Sequence, residues 1–136
     1  MRRERAAPAL EVRGMGEKKV DYRVMRTQGF KELPLEMQVS IIQYSLAHID
    51  FNAGKPDMIV FYPECDGVKT HYEDEGRTLV TCAEGLDEKV FVILSDFGDP
   101  EKWGELYGYD PDLVERLRKA TKGNRYVITF MLADEY

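Results

Sequence analysis

Apolar positions in this chain follow two periods. Leu35, Val39, Ile42, Leu46 and Ile49 recur at spacings of four and three, which predicts an amphipathic helix with these residues along one face. Pro34 suits the first turn of that helix, Glu36 suits the positive end of its dipole, and Asn52-Ala53-Gly54-Lys55-Pro56 ends it. Shorter apolar runs predict strands over Val20–Thr27, Asp57–Tyr62, Val68–Tyr72, Thr78–Cys82, Lys89–Leu94 and Arg125–Leu132. The Pro63-Glu64-Cys65-Asp66-Gly67 turn signal joins the second and third into an expected hairpin. Lys89–Leu94 and Arg125–Leu132 are apolar at both parities, as strands buried on both faces are.

Between those last two runs the chain reads as two short helices. Asp99-Pro100 and Asp110-Pro111 each place a capping carboxylate before a proline at the first helical position. Gly108 and Gly123 supply the stops, and Leu113, Val114, Leu117 and Thr121 form the expected inward face of the second helix. The predicted fold is therefore α+β: two layers, with a mixed and mostly antiparallel sheet, one long helix and two short C-terminal helices. With 136 residues the chain accommodates one domain, taken as 20–136. Residues 1–19 lack either period and read as a disordered basic arm, part of which disappears if translation starts at Met15.

Charge sharpens this division. Residues 1–26 hold eight basic and four acidic side chains, which leaves 11 basic against 21 acidic in the remaining 110. An acidic body argues against a general nucleic-acid coat or a membrane-surface protein. The first residues are positive, but Pro8 and Glu11 interrupt any apolar signal region, and the longest nearly apolar stretch, Tyr126–Ala133, is far below the ~20 residues that cross a bilayer. Cys65 and Cys82 are the only cysteines and form no Cys-x-x-Cys pair, so two reduced thiols in a cytoplasmic protein are expected.

No segment spells out a reaction. Cys65, His71, Cys82 and His48 lack zinc-ligand spacing. Ser95-Asp96 sits at a strand end without the Gly-x-Ser-x-Gly elbow, and there is no phosphate-binding glycine loop, so no cofactor is expected. The most informative stretch is Glu84–Glu115, with ten acids against Lys89 and Lys102 and with Phe97, Trp103, Tyr107 and Tyr109 interleaved. One reading is a solvated acidic face whose aromatics belong to the core. The other is a partner-binding surface of Asp96, Asp99, Glu101, Trp103, Glu105, Tyr107, Tyr109, Asp110 and Asp112, with carboxylates meeting cations of a basic protein and rings as anchors. Such a surface imitates the phosphates of nucleic acid. The alternative function is a small enzyme or ligand-binding protein that uses carboxylates at the ends of the central strands.

Four stretches carry a family resemblance: Tyr22-Arg23-Val24-Met25-Arg26-Thr27-Gln28-Gly29-Phe30, Leu33-Pro34-Leu35-Glu36-Met37-Gln38, Val90-Phe91-Val92-Ile93 and Met131-Leu132-Ala133-Asp134-Glu135-Tyr136. Together they resemble the bacterial domain-of-unknown-function family nine-sixty over about half of the chain. The sequence departs from that pattern between Ser95 and Asn124, where it carries an apparent insertion. The resemblance brings no catalytic residues. It implies a bacterial, cytosolic protein in a mobile-element setting, and with the acidic stretch it leads to an expected inhibitor of the anti-CRISPR or antirestriction type.

Overall fold

In the computed structural model, residues 20–136 are described, and the expected arm of residues 1–19 lies outside them. The first strand, β1 (Tyr22–Arg26), runs into a one-turn helix, α1 (Gln28–Lys31), whose N-cap Thr27 accepts from the Phe30 amide. Helix α2 (Leu35–His48) follows, then β2 (Met58–Tyr62), β3 (His71–Glu73) and β4 (Thr78–Cys82). The long strands β5 (Val90–Asp96) and β6 (Tyr126–Leu132) enclose α3 (Trp103–Leu106) and α4 (Pro111–Thr121). Six strands form one mixed sheet in the order β1-β6-β5-β2-β4-β3. Pairs β1/β6 and β2/β4 are parallel; the other three are antiparallel. The architecture is α+β.

Strand alternation divides the sheet's side chains between its faces. Ile59 and Phe61 of β2, Leu79 of β4, Val90, Val92 and Leu94 of β5, and Tyr126, Ile128 and Phe130 of β6 share one face and pack with Phe30, Ile41 and Ile49 into the core. Met58, Val60, Phe91, Ile93 and Met131 point to the other face and are half-buried.

Three sequence expectations are corrected. The buried line of α2 is Gln38, Ile41 and Ser45, while Leu35 and Val39 are exposed. The helix is turned because its buried polar groups are all satisfied: Gln38 Nε2 donates to the carbonyls of Lys31 (3.0 Å) and Leu33 (2.8 Å), its Oε1 accepts from Arg26, and Ser45 donates to the Ile41 carbonyl. The hairpin expected between 57–62 and 68–72 does not form. Strand β2 lies between β5 and β4, and the chain crosses over so that β3 pairs on the far side of β4. Finally, Cys65 and Cys82 are joined in a disulfide, not free as reduced thiols. Parallel pairing puts Cys82 opposite Tyr62, at the strand end from which the Cys65 loop departs, so the two cysteines meet. Among the described residues no helix is long and apolar enough to cross a membrane.

Candidate interaction surface

The segment between β5 and β6 grows from the end of an antiparallel pair. Phe97 N donates to the Arg125 carbonyl (2.9 Å), closing the base of the excursion. Next to it Asp96 accepts from Arg125 Nε (2.7 Å) and Nη2 (3.0 Å) and from the Gly98 amide (2.9 Å). The Arg125 guanidinium bonded to it holds the Asp96 carboxyl below the usual carboxylate range. Asp96 is thus the ion-paired clasp of the excursion.

The two Asp-Pro signals are helix starts. Asp99 Oδ1 accepts from the Glu101 amide (3.0 Å), and Asp110 Oδ1 accepts from the amides of Asp112 (3.0 Å) and Leu113 (3.2 Å). Lys122 and Gly123 close α4 in the left-handed region, and its last turn carries Arg118 and Lys119. Acids at the start and bases at the end complement the helix dipole. From Asp96 to Arg125 the segment holds seven acids and six bases, so it is bipolar.

Trp103 is fully buried, which corrects its expected role as an anchor open to a partner. Its Nε1 donates to the carbonyls of Phe97 and Gly98 (both 3.0 Å), and the Arg118 guanidinium stacks over its ring at 5.2 Å. Half-buried Tyr107 donates its hydroxyl to the same Phe97 carbonyl (2.9 Å). The C-terminal end of α4 is tied to β1 by a hydrogen bond from Arg23 to the Ala120 carbonyl.

What faces outward is the α3–α4 corner. Tyr109 is 75% exposed, Leu106 56% and Leu113 45%. The turn holds Tyr109 at φ +60°, its amide donating to the Gly104 carbonyl. Gly98, at φ +86°, leaves room for Leu106: a Cβ there would stand 2.7 Å from Leu106 Cδ1. Glu101, Glu105, Asp110 and Asp112 of the same segment are exposed, and none forms an ion pair among the described residues. Sequence reading missed Leu106 and placed Leu113 inward, because an apolar residue at helical spacing carries no mark of exposure.

The ten acids of Glu84–Glu115 do not share one surface. Glu84, Asp87 and Glu88 precede β5, whereas Asp96 is its last residue and the rest follow it. Its seven residues, at ~3.3 Å each, separate the two groups by about 20 Å. Among the described residues no three His, Cys, Asp or Glu side chains gather where they could hold a metal ion.

No family model, curated protein or solved structure matches this chain.

Proposed function

We propose that this is a non-enzymatic binding protein that docks the α3–α4 corner on a basic protein surface. One observation carries the proposal: Leu106, Tyr109 and Leu113 are each exposed within one short stretch of chain, as are Glu101, Glu105, Asp110 and Asp112 of the same segment. An apolar centre with a charged rim is the anatomy of a protein-binding patch. Of the residues singled out in the sequence, Glu101, Glu105, Tyr109, Asp110 and Asp112 form the contact in this reading; Asp96, Asp99, Trp103 and Tyr107 support it from beneath. A partner that ordinarily grips nucleic acid offers the required cations. With the family resemblance, the proposal extends to an inhibitor from a mobile element acting on a host defence protein. Action in the cytoplasm would require the Cys65–Cys82 bond to persist in a reducing compartment, where such bonds are rare. The enzyme reading draws no support from Asp96, the carboxylate nearest the end of a central strand, because Arg125 occupies it.

The test is affinity capture with the full chain at low and high salt, followed by affinity measurement on the captured partner. Tyr109→Ala is expected to weaken binding by about thirtyfold or more, as central patch residues do, and the triple variant Glu101→Lys/Glu105→Lys/Asp112→Lys to weaken it by slowing association, as reversal of rim charges does. Both should keep the far-UV circular dichroism of the parent. Acidic partners, or unchanged affinity in both variants, would remove the assignment.

A further inference from the structure

Helix α2 carries an apolar stripe that the core does not use fully. Leu35 is 69% and Val39 43% exposed, and Ile42 and Leu46 continue the line with their inner sides on the core. Charge is also missing here. In a chain that is 32% charged, 14 average residues would bring four or five charged side chains; Leu35–His48 holds Glu36 alone, with His48 at its end. The outward positions Ser40, Gln43 and Ala47 are neutral too. A solvated helix face in so charged a protein is expected to look otherwise.

The stripe itself indicates what covers it. Its spacings of four, three and four read the same in both directions, and so do its residue shapes: leucine, β-branched, β-branched, leucine. The spacing is that of a coiled-coil seam. We infer that α2 pairs antiparallel with α2 of a second copy of this chain, about a twofold axis between Ser40 and Ile41. In that register Leu35 meets the partner's Leu46 and Val39 meets the partner's Ile42, twice by symmetry. Near a twofold axis a charged group meets its own like, so self-pairing demands the neutral face that α2 has. Antiparallel packing also sets the positive end of each helix dipole, with Glu36, beside the negative end of the other, with His48. A charged partner protein would find no complementary group along this face.

The helix is about 21 Å long, so the contact lies at the small end of specific interfaces and the dimer is reversible. Sedimentation velocity on the full chain, between about 5 and 500 µM, should show the mass rising from 15.7 kDa toward twice that value. Val39 lies about 4.5 Å along the axis from the partner's Val39. Val39→Glu and Val39→Lys should therefore each be monomeric, with circular dichroism unchanged, and an equimolar mixture of the two should associate again. A chain monomeric throughout, including one that captures a different protein on this face, would overturn the inference. So would a dimer that survives both variants, or a mixture that stays monomeric.

Discussion

Replacing Trp103 with alanine should melt the α3–α4 segment and leave the sheet folded. Trp103 is the chain's single tryptophan and is fully buried, and its N–H joins two carbonyls at the base of the segment. Removing such a side chain costs about 3–5 kcal/mol. Helices of four and 11 residues have no stability of their own to offset that loss. The other side-chain bonds between elements named above, the Asp96–Arg125 clasp, the Tyr107 hydroxyl and the Arg23 bond to Ala120, reach the base of the segment, the end of α3 and the last turn of α4, and leave the first turns of α4 without one. Backbone hydrogen exchange should therefore speed up by about a hundredfold to several thousandfold across α4, with β2, β5 and β6 nearly unchanged. Trp103→Phe keeps most of the bulk and loses the donor, so about tenfold is expected. Equal acceleration in α4 and the central strands would refute the reasoning by showing that the segment and sheet unfold as one unit. Unchanged exchange in α4 would refute the anchoring role outright.

Opening the disulfide should destabilise the protein by about 3 kcal/mol, the loop-entropy value for a sequence separation of 17, measured as the urea midpoint with and without reductant and in Cys65→Ser/Cys82→Ser. Gln38→Leu strips the Lys31 and Leu33 carbonyls of their donor, and a loss of about 2–4 kcal/mol is expected in the same assay. Glu135 accepts from the Thr27 hydroxyl (2.5 Å) and the amides of Gly29 and Leu132 (both 2.9 Å), which hold its carboxyl below the usual range. A lowered carboxylate stabilises the fold above its unfolded pKa and ceases to as pH falls through the folded one. Thermal stability should therefore drop below about pH 4.5, and Glu135→Gln should be less stable at neutral pH and show a shallower acid slope; an identical slope would remove Glu135 from the acid response.

How much of this was legible follows from where each signal resides. Helix α4 could be read because its start and stop are local: Asp110, Pro111, the basic last turn and Gly123 act within a few residues of themselves. Strands β5 and β6 could be read because one face is buried and most of the other is at least half-buried, which leaves a continuous apolar run. The orientation of α2 could not. Gln38 looks like a solvent position until the carbonyls of Lys31 and Leu33 come within reach, and that placement depends on the α1 turn; Ser45 is satisfied within its own helix, by the Ile41 carbonyl, which a hydropathy pattern does not register. The position of β3 was hidden for another reason. A turn signal states that the chain reverses, not which strand it returns to: β4 pairs with β2 in parallel over five residues, and β3 pairs with β4 over three.

The acidic stretch shows most plainly what a linear count of charge conceals. Its members divide into a clasp (Asp96), two caps (Asp99 and Asp110), three residues about 20 Å away at the other end of β5, and a small remainder on the corner. On α4 the remainder is balanced at once, since Arg116 follows Asp112 by one turn, about 6 Å. That distance is within the ~8 Å over which exposed charges act at physiological ionic strength. A partner approaching the corner thus meets a dipole, while the long-range pull on cations comes from the acidic body as a whole. The two effects separate kinetically. Added salt should slow association, through the body's field, whereas Tyr109→Ala and Leu106→Ala should hasten dissociation and leave the association rate within about threefold. If the corner variants instead slowed association and left dissociation alone, the corner would be no more than part of the general field, and the apolar side chains exposed there would have no part in recognition.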